Sequence, residues 1–223
     1  HTARMTRIPL PSSHSSAPTA VSVRQLLQAP HRLMFFIGAG NLLLAMLWWA
    51  SWLVSQYSGA WQMPETPIYA GWLHALVVQY MVLPSFIFGF LLTVFPRWTG
   101  QPDLPRWRYV PVGAGLMGGQ LAVLLSTLGW SAGLVVGVIL ALGGWSAALG
   151  TLAQVLRRDQ GPTWHARSCY AALLLGWLGL ALYLVFLVTG NAMLAFASIK
   201  MGGMGMLLPI YLSVAHRMFP FFA

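Results

Sequence analysis

Charged residues are scarce in this 223-residue chain, and acidic residues are the scarcest of all. Only 7% of the residues are charged and 58% are hydrophobic, whereas a soluble globular domain carries about 25% charged residues. So few charges cannot cover a surface that faces water, and the composition therefore predicts a membrane protein. The single cysteine, Cys169, excludes an internal disulfide and a cysteine cluster for zinc or iron–sulfur.

The three acidic residues, Glu65, Asp103 and Asp159, all lie outside the long apolar runs. Their absence from these runs argues against a carboxylate proton relay, a di-iron carboxylate centre and a proton-coupled transporter, because each needs acids inside the membrane. The formal charge of +9 would suggest nucleic acid in a soluble protein. Here the positive charges mark separate connectors, so we expect no nucleic-acid partner and a lipid bilayer instead.

Six apolar runs each exceed the ~20 residues that cross a hydrocarbon core of ~30 Å. Helices are expected, because lipid offers the backbone no other hydrogen-bond partner. The fold class is therefore predicted as an all-α integral membrane protein with six transmembrane helices. Residues 1–30 are predicted to form a disordered cytoplasmic tail and residues 31–223 the transmembrane domain. The predicted spans, numbered one to six, are about 33–55, 69–95, 109–129, 133–156, 168–188 and 192–215.

The connectors between these spans alternate between two kinds, one with arginine and one without. Positively charged loops stay in the cytoplasm. The alternation therefore predicts that both termini are cytoplasmic. Arginine occurs in 1–32, 97–108, 157–167 and 216–217, and is missing from 56–68, 129–132 and 189–192.

Lys200 is the one basic residue inside a predicted span. A charged lysine there costs at least ~2.5 kcal/mol on insertion scales, and no span offers an acid to pair with it. Three explanations stay open: snorkelling to an interface, a neutral amine, or binding of an anion such as a haem propionate. Met204 lies in the methionine- and glycine-rich run that follows, where a thioether is a packing group or a soft metal ligand.

Histidines are the other candidate ligands. His74 lies near the non-cytoplasmic start of span two and is a candidate axial ligand for haem iron or another metal. Met81, seven residues later, shares its helix face and is a possible second ligand. His216 ends span six near the opposite face, where His165 is expected to meet it. For His74 and for His216, the alternative is an interfacial or helix-capping role without a metal.

Several further residues within the spans carry packing signals. Pro84 and Pro209 are expected to kink spans two and six and to free backbone carbonyls. Small residues at 115–119 in span three and at 133–137 in span four are expected to allow close helix contact. Asn41 and Gln120 are expected to form hydrogen bonds between helices.

Three segments resemble the NnrS family. The most specific is the exit of span two, residues 89–100, GFLLTVFPRWTG. Weaker matches are the end of span six, residues 216–222, HRMFPFF, and the entry to span one, residues 30–36, PHRLMFF. His74 matches the first histidine of the family's opening His-Ala-His-Glu-like motif, whereas Leu76 and Val77 replace its second histidine and its glutamate. Family members usually have roughly twice as many spans, so the chain resembles a half-length relative, a fragment or one of two paired subunits.

The resemblance implies a polytopic protein of the bacterial inner membrane that contains haem and copper and is linked to nitric oxide. The first hypothesis is therefore a haem- or metal-binding protein of the nitric oxide response or of respiratory electron transfer. Its candidate cofactor-binding residues are His74, Met81, Lys200, Met204 and His216, with His74 as the metal ligand. The second hypothesis is a cofactor-free accessory subunit of a respiratory or photosynthetic complex, with partner subunits or further copies of itself. The third is a channel for small anions or metals.

Overall fold

The computed structural model describes residues 23–59, 61–159, 161 and 163–219, except for the side chains of Val23 and Met218. Residues 1–22, most of the predicted disordered tail, lie outside this part. A short helix, Val23–Leu26, precedes the first span. The described segments then form six helices that are long and apolar enough to cross a membrane: Pro30–Ser58, Ala70–Trp98, Arg106–Ser126, Gly133–Arg157, Trp164–Thr189 and Ala192–Arg217.

These six helices confirm the predicted all-α membrane fold, and most extend a few residues beyond the predicted spans. The extensions have a simple cause, because hydropathy marks the hydrocarbon core whereas a helix continues into the interface. Arg97 and Trp98 end span two in this way, and Arg106 begins span three. Glycines in the left-handed conformation, Gly59 and Gly190, follow the ends of spans one and five.

Span two lies at the centre of the bundle, and the other five spans form an arc around it. Along the arc, span one contacts span three, and the contacts continue from three to four, four to five and five to six. Span two touches members all along the arc, and 61% of its most apolar window is buried, more than in any other span. The arc is open between spans six and one, where a groove separates them.

Two spans change helix type within the membrane. Span two is π-helical over Val78–Val82, just before Pro84, and span six is π-helical over Met201–Leu207, just before Pro209. The two π-helical turns contact each other. A π-helical turn inserts an extra residue, and such turns occur frequently at functional sites. Each proline therefore follows a π-helical turn that locally changes the number of residues per turn of its helix.

The arginine-bearing segments meet at one end of the bundle. The Tyr109 hydroxyl donates to the carbonyl of Leu27 (2.7 Å), and Gln101 Nε2 donates to the carbonyl of Val155 (2.8 Å). The Arg217 guanidinium lies over the Trp98 ring, 4.4 Å from its centroid. Which side of the membrane this arginine-rich end faces stays a prediction.

Candidate functional site

His74 lies one turn into span two, at the end opposite the arginines. Its ring stacks on Trp49 of span one, with centroids 4.3 Å apart and planes 20° from parallel. Nδ1 is buried without a hydrogen-bond partner, and no described residue bonds to Nε2. Stacking fixes the plane of an imidazole but leaves its in-plane nitrogen lone pairs free. His74 is therefore a held imidazole whose ring nitrogens are uncommitted.

Gln79 lies one π-helical turn further along span two. A Cβ at Gly202 of span six would collide with its Oε1, and one at Gly203 would lie 3.8 Å from its Nε2. The glycine pair thus makes room for the amide between the two spans. Gln79 Oε1 is buried and has no partner. It is a second buried polar group on span two without a bond to satisfy it.

Tyr80 ties the two π-helical turns together. Its hydroxyl donates to the carbonyl of Ser198 (2.6 Å), while Trp145 Nε1 of span four donates to the carbonyl of Tyr80 (3.0 Å). Pro84 has no N–H to offer that carbonyl four residues earlier, so the indole replaces the missing helix bond. The carbonyl that Pro84 was predicted to free is thus satisfied by a neighbouring span.

The predicted ligands of the first hypothesis fall at three places. Contacts between Trp72 and Phe196 and between Gln79 and Gly202 place Lys200 at a level between His74 and Gln79. The Lys200 side chain is exposed on the outer surface of the bundle.

The remaining candidates lie further from His74. Met81 is fully buried, whereas Met204 is 66% exposed and points away from the bundle. His216 ends span six at the arginine-rich end. The structure therefore brings only Lys200 to the level of His74.

The arginine-rich end carries its own histidine pair. His165 and His216 have ring centroids 5.4 Å apart, and Trp164 contacts both rings. Their meeting was predicted from the sequence and is confirmed. Among the described residues, no group of three or more histidine, cysteine, aspartate or glutamate side chains forms a metal cluster. This pair is the closest approach to a two-imidazole donor set.

The two buried amides of spans one and three are only partly satisfied. Gln120 Nε2 donates to the backbone carbonyl of Asn41 (2.5 Å), which confirms one predicted bond between helices. Both side-chain polar atoms of Asn41 and the Oε1 of Gln120 are buried without partners. A buried water that makes about three hydrogen bonds is the usual solution for such a set.

The groove between spans six and one has a volume of about 550 Å³. Its walls come from Phe35 of span one, from span two between Leu83 and Leu91, and from span six between Leu207 and Ala215. Helical spacing places Leu83 on the side of span two that carries Gln79, four residues earlier. The groove therefore begins about one turn beyond that amide.

Sequence reasoning singled out His74 but did not find its neighbours. It gave no role to Trp49, which stacks on His74, or to Gly202 and Gly203, which face Gln79. The glycine pair beside a lysine was the available signal, because adjacent glycines in a span permit close approach of another group.

Comparison with known families and proteins gives one match. The model of the family described as NnrS protein matches residues 25–223. No curated protein and no solved structure matches the chain.

Proposed function

Because this chain belongs to the NnrS family, we propose that it is a membrane haem-binding protein of the nitric oxide response or of respiratory electron transfer. His74 is the proposed ligand. The observation that supports this role is an imidazole held by Trp49, with a buried, unpartnered Nδ1 and no bond to Nε2. An imidazole that neither caps a helix nor bonds to a carbonyl has no evident structural task.

His74 and Lys200 are the residues that would hold the haem in this proposal. Lys200 lies within about one turn of the His74 level and offers an ammonium group to a propionate. Met81 is fully buried and Met204 is 66% exposed, and a second ligand from either thioether stays a proposal. Held by His74, a haem would supply an iron able to bind a diatomic gas. Copper, if present, would find its two-imidazole donor set at His165 and His216.

Three residues of this chain would position such a group. Trp49 restricts the rotation of the imidazole, and Lys200 has no acid in any described span to neutralise it. The low dielectric of the membrane strengthens a pairing of lysine with a carboxylate. Gln79, one turn below, offers an amide to a polar edge of the ligand.

An absorption spectrum of the detergent-purified chain, oxidised and reduced, with iron analysis of the same sample, tests the proposal. We expect a Soret band that shifts on reduction and about one iron per chain. His74→Ala should abolish both. His31→Ala is the matched control, because His31 is also half-buried on a span but lies at the other end, beside Thr93. Full haem content in His74→Ala would sink the assignment.

A second candidate function is that of a cofactor-free accessory subunit. Leu76 and Val77, which replace the family's second histidine and glutamate, are fully buried in the apolar core. Their burial shows that this part of span two is used for packing. The same spectrum separates the two candidates: no Soret band and no metal in folded protein that retains other membrane subunits would favour the accessory role.

A further inference from the structure

We propose that the groove between spans six and one binds one anionic phospholipid. An acyl chain would lie in the groove, and the phosphate would lie at its mouth at the arginine-rich end. This site is separate from His74, and it does not depend on haem binding.

The groove has the character that an acyl chain requires. Its lining is almost wholly apolar, with Tyr211 as the one residue that carries a side-chain polar group. It opens sideways from the bundle, between two spans that do not close on each other. In a membrane its surroundings are hydrocarbon, so an apolar chain enters it without meeting water.

The mouth of the groove carries positive charge. Arg217 follows Val214 by three residues on span six, and Arg32 precedes Phe35 by three on span one. Since residues three apart share a helix face, both arginines continue the groove walls toward the membrane interface. No described carboxylate forms an ion pair with either arginine, and Arg32 donates to the amide oxygen of Gln28 (2.9 Å).

Trp98 connects the groove to this charge. Phe90 lines the groove and contacts Trp98 edge to face, with centroids 6.2 Å apart. The Arg217 guanidinium lies 4.4 Å from the centroid of Trp98. Tryptophan prefers the headgroup level of a membrane. The stack therefore places the Arg217 guanidinium, a group that binds phosphate, at the end of the apolar groove. The groove and the guanidinium follow one another in the same order as the acyl chain and the phosphate of a phospholipid.

Native mass spectrometry of the full chain tests this site. The chain is released from detergent after incubation with phosphatidylglycerol or with phosphatidylcholine of identical acyl chains. We expect one phosphatidylglycerol to be retained in preference to phosphatidylcholine. Arg217→Gln should lower retention about fivefold, as for the loss of one arginine near an anionic surface. Arg158→Gln, an exposed arginine at the same end but away from the groove, should leave it unchanged.

A second pair of variants tests the groove itself. Val214→Trp fills the groove and should abolish retention, whereas Leu212→Trp, which is 56% exposed outside the lining, should not. Equal retention of the two lipids, or equal effects within either pair of variants, would overturn the proposal. A dimer that Val214→Trp dissociates, with no lipid retained by the wild type, would also overturn it and assign the groove to a second copy of the chain.

Discussion

At the scale of single residues, the middle of the bundle depends on a few polar atoms with defined partners. Tyr80 donates to Ser198 and accepts from Trp145 at its carbonyl, so one residue joins three spans. Its phenol lies where a Cβ on Gly179 would collide with it, and that glycine is thus needed for the phenol to fit. Polar bonds of this kind contribute modestly in membranes, on average about 0.6 kcal/mol in one well-studied helical bundle.

Tyr80→Phe removes the hydroxyl that reaches the carbonyl of Ser198. We expect a loss of about 1 kcal/mol in the free energy of unfolding, because the ring still packs while the two bonds between the hydroxyl and Ser198 are lost. A denaturant titration in mixed micelles measures it. Tyr211→Phe is the control, since its hydroxyl is on an exposed side chain of span six. Equal losses in the two variants would contradict the role given to Tyr80.

At the scale of elements, spans three and four form the closest helix pair. Their backbones meet through glycines: a Cβ on Gly115 would lie 2.6 Å from Gly144 Cα, and one on Gly119 would lie 2.8 Å from the carbonyl oxygen of Gly137. The small-residue patterns at 115–119 and 133–137 predicted close helix contact, and the structure shows that spans three and four are the partners. The partner Gly144 was not predicted, because a single glycine in an apolar run does not indicate which face it occupies.

Adjacent glycines in span four provide a matched test. Gly144→Ala would place its Cβ 2.9 Å from the carbonyl oxygen of Val112, and backbone cannot withdraw easily. We expect a destabilisation of about 1–3 kcal/mol, as for overpacking in a core. Gly143→Ala meets nothing within 4 Å and should be neutral or stabilising by up to about 1 kcal/mol. Thermal unfolding in detergent compares them, and a larger loss at Gly143 would refute this packing.

The six spans and the meeting of the arginine-bearing connectors followed from the sequence because hydrophobic length and charge dictate them locally. The π-helical turns did not follow, since they depend on how Pro84 and Pro209 are accommodated by neighbouring spans. The same limit applied to the site: the residue type at 74 was informative, but its stacking on Trp49 is a contact between distant parts of the chain. The role of His74 as a ligand stays a prediction.

At the scale of the whole molecule, the charges predict which side of the membrane each end of the bundle faces. The fold alone does not distinguish the two orientations. Cys169 is fully buried, and it is the only cysteine. The native chain is therefore silent to thiol reagents while folded. This makes Cys169→Ala a mild background in which to introduce single reporter cysteines at either end of the bundle.

In that background, Ser131→Cys and Arg158→Cys place exposed thiols at opposite ends. Positive loops stay in the cytoplasm. We therefore expect an impermeant maleimide to label position 131 in intact spheroplasts and position 158 only after lysis. Labelling after denaturation in both variants controls for expression. The reverse pattern would place both termini outside and overturn the predicted orientation.

The central place of span two has a consequence for biosynthesis. It is made second, yet the spans that enclose it are mostly made later, and Ser198 lies 118 residues beyond Tyr80. Until span six is inserted, the Tyr80 hydroxyl and the Gln79 amide face lipid or the proteins that insert the nascent chain. The core around span two therefore cannot close before span six is made. A nascent chain stalled before that point leaves these polar groups without their partners on span six.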